Sequence, residues 1–282
     1  MRVGAFVLFI LGIACASGGS QKQALYSTAS ASTPDKNWVL TWSDEFDGPM
    51  GAAPDPAKWA VESGGSGWGN NELECYTPRR KNVRQENGKL VIEARREAFS
   101  GGDRVKCSYT SARIKSERRF AQKYGRFEAR IRIPHAQGLW PAFWLLGDDF
   151  STAGWPACGE IDIMESTGAK QSTIHATLHG PGYFSGNGLT SVYTLPAEHS
   201  GNGFHIFAAE WEPDVIRFYV DDVLYATKTP DDLPSGKRWV FDHPFFVLLN
   251  LAVGGDFPGR PDSSTVFPQK MLVDYVRVYA LR

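Results

Sequence analysis

What the sequence lacks excludes several classes of protein. Lysine and arginine number 30 against 31 aspartates and glutamates in 282 residues, so it has no basic surface of the kind that nucleic acid demands. The same balance disfavours an acidic polymer as ligand. Cysteine is scarce, with four in all and no CxxC pair, so no spacing points to a zinc site. A Gly-x-Ser-x-Gly elbow is missing, which argues against a serine hydrolase of that type. Internal repeats and long helical periodicity are also missing. The apolar stretch Val3 to Ile13 is too short for a comfortable membrane span.

That stretch reads instead as an export signal over residues 1–16. Arg2 supplies the positive start and Ala14-Cys15-Ala16 a small-x-small cleavage site. Lipidation at Cys15 is the alternative, although Leu11-Gly12-Ile13-Ala14 places a Gly where that motif expects Leu. Secretion, or release into a periplasm, is the preferred reading. Residues 17–36 are rich in Ser, Ala, Gly and Gln without periodicity, as in a flexible linker.

From residue 37 to 282 the dominant pattern has period two. In Arg126 to Ile133, Phe127, Ala129, Ile131 and Ile133 share one face, and three Arg and a Glu share the other. Lys89 to Glu93, Val215 to Val220 and Met271 to Tyr279 alternate similarly. Phe245 to Leu251 is continuously apolar, suiting a strand buried on both faces. Asn87-Gly88, Asp221-Asp222, Gly254-Gly255 and Pro258-Gly259 punctuate the runs as turns. The pattern predicts one all-β domain of two packed antiparallel sheets, with a closed barrel as the alternative. Aromatic residues make up 13% of the chain, with nine Trp. Core filling and a sugar-stacking groove both account for that excess.

The chemistry is concentrated in Gly159-Glu160-Ile161-Asp162-Ile163-Met164-Glu165-Ser166. On a regular strand Glu160 and Asp162 share a face and Glu165 falls on the opposite one. A β-bulge at Ile163 or Met164 would bring all three acids to one side. Crowded carboxylates are costly unless their protonation states differ. Glycoside hydrolysis needs that difference, with one carboxylate as nucleophile and one carboxyl of raised pKa as acid and then base. To work together, the two Glu arms must lean across roughly 13 Å of strand. An acidic surface strand and a cation site are the competing readings. The intervening Ile, Ile and Met speak against the first.

This segment resembles the signature of glycoside hydrolase family 16, in its laminarinase-like form with the extra residue. Other segments resemble the family in its own order: Trp42 to Gly48, Gly69-Asn70-Asn71-Glu72-Leu73-Glu74, Thr110 to Arg113, Gly138 to Leu146, Leu249 to Gly255 and Val273 to Tyr279. The resemblance implies a β-jelly roll whose concave sheet forms an open cleft for mid-chain cutting. It implies Glu160 as nucleophile, Asp162 as its assistant and Glu165 as acid/base, with no catalytic cofactor. It further implies Asn70, Glu72, Arg113, Trp140, Trp144 and His179 as sugar-binding residues. Trp140 and Trp144, four apart, share a strand face as cleft lining requires. Where the family usually has Gly-Gly-Asn-Trp, this chain has Gly254-Gly255-Asp256-Phe257, so Phe257 would offer a smaller stacking face.

Glu45, Gly88 and Asp274 match positions that often hold a structural calcium on the convex side. His175 and His179 lie on a β-like segment, too far apart to share an ion. After signal cleavage Cys75, Cys107 and Cys158 remain, an odd count. Cys75 with Cys107 is the expected pair, because Cys158 adjoins the acidic strand. The implied activity is endo-hydrolysis of a laminarin-type β-1,3-glucan by a monomeric enzyme with retention. Mixed-linkage β-1,3-1,4-glucan or an agar-type galactan are the alternative substrates. A non-catalytic glucan-binding module is the alternative class, and the intact Glu160 and Glu165 argue against it.

Overall fold

A computed structural model describes residues 36–170, 172–196 and 203–282. The expected signal peptide, Cys15 and the expected linker up to residue 35 lie outside the described residues. Lys36, the last residue of the expected linker, begins the folded unit and pairs with Glu210 at 2.8 Å and Glu212 at 2.5 Å.

Seventeen strands are present among the described residues. The first six are β1 (Trp38–Asp44), β2 (Ala60–Val61), β3 (Glu74–Tyr76), β4 (Val83–Gln85), β5 (Leu90–Ser100) and β6 (Lys106–Ser111). Next come β7 (Arg113–Lys115), β8 (Gly125–Arg132), β9 (Leu139–Gly147), β10 (Glu160–Glu165), β11 (Thr173–His179) and β12 (Ser191–Thr194). The last are β13 (His205–Glu212), β14 (Val215–Val220), β15 (Val223–Lys228), β16 (Phe245–Val253) and β17 (Gln269–Leu281). The one α-helix among the described residues, α1 (Phe150–Ala153), is a single turn. No helix among the described residues is long and apolar enough to cross a membrane.

The strands form two sheets, and the closed-barrel alternative is not what is seen. One sheet runs β15-β14-β13-β8-β17-β5-β6-β3, with β1 added on β17 and β4 on β5. The other runs β12-β11-β10-β9-β16-β7-β2. All pairings are antiparallel except β3 with β6. Phe127, Ala129 and Ile131 of β8 lie fully buried between the sheets, while Arg126, Arg130 and Arg132 face outward and keep partial exposure. Burying each large apolar side chain contributes roughly 1.5–3 kcal/mol, so the alternation itself orients the strand.

β16 is buried along its whole length. Its inner side chains, Phe245, Val247, Leu249, Leu251 and Val253, join the main core. On its other face Phe246 and Leu248 pack with Leu146 and Cys158 in a second cluster. Asn250 interrupts that face. The turn between β14 and β15 is made by Asp221 and Asp222, both at positive φ (48° and 64°). Two left-handed residues match the twist of a tight hairpin.

The tryptophans divide between both uses that the composition allowed. Trp59 and Trp211 are buried in the core, where Trp211 packs edge-on against Tyr124 and Phe245. Trp140, Trp144 and Trp155 instead turn their indole N–H groups toward polar residues of the seven-stranded sheet.

Candidate active site

The acidic strand β10 lies in the middle of the seven-stranded sheet, between β9 and β11. Its register slips by one residue on both sides. Against β9, Asp162 opposes Trp144 and Met164 opposes Phe143, leaving Ile163 as the extra residue. Against β11, Asp162 opposes Thr177 and Glu165 opposes His175. The bulge expected from the sequence is therefore present, and it corrects the phase. Ile161, Ile163 and Met164 enter the core, and Glu160, Asp162 and Glu165 share the opposite face. Gly159 precedes the strand at φ +71°, and a Cβ there would meet the Phe245 ring at 2.9 Å.

Each acid has its own partners. Trp155 donates its indole N–H to Glu160 Oε2 at 2.9 Å. Trp140 donates to Glu165 Oε1 at 2.9 Å. His179 Nε2 lies 3.1 Å from Asp162 Oδ2 and 3.8 Å from Glu160 Oε1. Burial, followed by the charge of Asp162, pushes Glu160 up to about 8. Burial and the charge of Glu160 push Glu165 up to about 7. Asp162 is raised well above the ordinary range by burial and by Glu165. Three carboxyls that cannot all ionise hold protons near neutral pH, the condition for acid–base work. His179, the Trp155 N–H and Arg113 favour the charge of Glu160, as His179 and the Trp140 N–H favour that of Glu165, yet Glu160 stays the higher of the two.

The sugar-binding candidates gather around this strand. Trp140 packs edge-on against Phe257, ring centroids 5.4 Å apart, and Phe257 also meets His175 at 5.1 Å. Trp144 donates to Asn250 Oδ1 at 2.8 Å. The Arg113 guanidinium sits between Trp144 (4.8 Å) and Trp68 (5.2 Å) and pairs with Glu62 at 2.5 Å. Asn70 donates to Glu72 Oε1 at 3.2 Å, and Tyr76 donates to Glu72 Oε2 at 2.9 Å. Phe257 is 43% exposed, as a stacking surface must be.

Sequence reasoning passed over Trp155, Phe184, Glu74, Tyr76 and Asn250. Trp155 and Phe184 pack edge-on at 5.3 Å beside Glu160, both partly exposed. Asn250 had a signal available, a lone amide in an otherwise apolar strand. Trp155 had none, because it belongs to the loop before β10 and strand phase does not apply there.

The convex-side set is arranged differently. Arg277 grips Glu45 through two hydrogen bonds of 3.0 and 2.8 Å. Asp274 faces Arg130 at 2.6 Å and Lys89 at 3.6 Å. Gly88 lies in the turn between β4 and β5, at φ +66°. Cys75 and Cys107 are joined in a disulfide, and Cys158 is buried as a free thiol.

Comparison with known proteins gives a consistent set. The family model described as "Glycosyl hydrolases family 16" matches residues 70–277. A beta-glucanase of Rhodothermus marinus is 40% identical over 287 residues, covering 99% of this chain and 94% of the relative. A glucan endo-1,3-beta-glucosidase of Cryptopygus antarcticus is 41% identical over 230 residues, covering 79% of this chain and 83% of the relative. The crystal structure of the laminarinase catalytic domain from Thermotoga maritima MSB8 superposes with a TM-score of 0.81 at 47% identity. It covers 87% of this chain and 99% of that one.

Proposed function

The chain belongs to glycosyl hydrolases family 16, and from that premise we propose that it is a monomeric, exported endo-hydrolase of β-1,3-glucan acting with retention. The observation that carries the reading is the bulged strand β10, which presents Glu160, Asp162 and Glu165 together beside indole donors. Glu160 attacks the anomeric carbon as the carboxylate, in the state where the proton of the interacting acids rests on Glu165, and Glu165 delivers that proton to the departing glycosidic oxygen. Glu165 then takes a proton from the water that releases the glycosyl-enzyme. Asp162, on the same face of β10 as Glu160, holds the nucleophile and shares its proton inventory with the pair. Trp140, Trp144, Phe257 and Trp155 supply stacking faces and Arg113, Asn70, Glu72 and His179 polar contacts along the sugar chain.

None of these groups requires a cofactor. Export is supported by the N-terminal pattern and by the Cys75–Cys107 disulfide, which persists in oxidising compartments. The residues expected to hold calcium do not fit that ion as arranged. The carboxylates of Glu45 and Asp274 are already engaged by Arg277, Arg130 and Lys89, whose charges would repel a cation. No part of the proposed chemistry passes through a metal.

The test is product analysis on laminarin, mixed-linkage glucan and agarose, with the anomeric configuration followed by NMR. Short laminarin oligosaccharides with retained configuration are expected. Glu160→Gln and Glu165→Gln should each lower kcat by about a thousandfold while leaving the fold intact. Inverted products, or near-wild-type turnover in either variant, would remove the assignment. Cleavage of another polymer alone would keep the mechanism and change the substrate.

A further inference from the structure

One fully buried acid takes no part in this mechanism. Glu74 lies on β3, two residues after Glu72, with none of its surface exposed. Its Oε2 accepts the backbone N–H of Val253 at 2.7 Å. Its carboxyl neighbours that of Glu72, whose charge raises it, and no N–H or O–H group of the described residues donates to its Oε1. Glu72 already accepts from Tyr76 and Asn70. Among the described residues neither acid has a Lys or Arg ion-pair partner.

Two ionised carboxylates offer only acceptors to one another, so neighbours removed from water with no cationic partner are accommodated when one of them holds a proton. The geometry says where it resides. Glu74 is wholly removed from water and receives one backbone donor. Glu72 receives two side-chain donors and lies at the cleft, where a Cβ on Gly255 would be 3.5 Å from its Cγ and 3.6 Å from the Trp140 ring. Charge is better accommodated on Glu72. Burial and the neighbouring Glu72 also hold Glu74 well above the ordinary carboxyl range.

We propose that Glu74 is a positioning residue, a carboxylic acid that donates its proton to Glu72 and so fixes that carboxylate as an acceptor for sugar hydroxyls. The kinetic consequence rests on the glucan-hydrolase reading; the protonation does not. A buried, charge-assisted hydrogen bond of this kind specifies one orientation of Glu72, where a freely rotating carboxylate would have to be ordered by each incoming substrate.

Two variants test it. Glu74→Gln keeps a donor toward Glu72 and an acceptor toward Val253, and should hold KM and kcat for laminarin within about twofold of wild type. Glu74→Ala removes the donor and should raise KM about tenfold or more, with kcat changed far less. The infrared difference between wild type and Glu74→Gln at neutral pH should contain one carboxylic-acid C=O band. Absence of that band overturns the proposal, as does a Glu74→Gln variant impaired as severely as Glu74→Ala. The infrared reading needs neither the Ala variant to fold nor laminarin to be the substrate, so its failure is distinguishable from failure of the functional reading.

Discussion

Glu160 joins the proposed function and stability in one side chain. Its carboxyl ionises near the ordinary glutamate value of 4.5 in the unfolded chain but only at about 8 in the folded one. Between those values the unfolded chain binds fewer protons than the native one, so the native state loses stability as pH rises through that window. Below it both states hold the proton and no cost remains. Glu160→Gln should therefore stabilise the protein by about 4 kcal/mol at pH 8 and leave it nearly unchanged at pH 4. Denaturant unfolding at the two pH values measures this. An equal gain at both, or none at either, would contradict the burial-driven shift. The acids themselves were legible in the sequence because three carboxyls stand among the apolar Ile161, Ile163 and Met164. Their donors Trp140 and Trp155 were not legible in that role, since an indole in sequence does not reveal which way its N–H points.

At the scale of the strand, β10 works because a single inserted residue re-phases it. The mismatch of three acids with period two is visible in the sequence and foretells the bulge, and the registers on both sides bear it out. The entry to the strand depends on Gly159, whose positive φ and lack of Cβ let the chain pass over Phe245 and Val240. Gly159→Ala should cost about 1–3 kcal/mol through backbone strain and the clash together, and should lower activity by displacing Glu160. A melting curve and an activity assay superimposable on wild type would show that the strand tolerates a side chain there. β14 spans Val215–Val220, as its alternation predicts. β5 does not stop near Glu93 but runs on to Ser100. Its second half pairs with β6 outside the core, with alternate residues exposed, so no apolar face marks it.

For the molecule as a whole, the disulfide ties β3 to β6 and so braces the segment that carries Asn70, Glu72 and Glu74. Cys75 and Cys107 are 32 residues apart, and a Cβ on Gly65 would lie within 2.6 Å of both sulfurs. Closing a loop of this length removes unfolded-state entropy worth about 4 kcal/mol. For a chain of this size that corresponds to about 8–16 °C in Tm. Cys75→Ala with Cys107→Ala should melt lower by that amount in calorimetry, and wild type in reductant should approach it. No change in Tm would mean that the loop is held by its packing alone.

The sequence by itself determined the fold class, the bulged acidic strand and the catalytic acids proposed on it. Those features are written in short-range patterns of period two, and in one break of that period, which survive without knowledge of any partner strand. Only the tertiary structure decided which tryptophans face the cleft, that Glu74 lies against Glu72, and that Arg277 and Arg130 occupy the carboxylates of Glu45 and Asp274. Trp144 with Asn250 and Arg277 with Glu45 are separated by 106 and 232 residues. Their meeting depends on the cross-strand register of whole sheets, and no local pattern of residues encodes that.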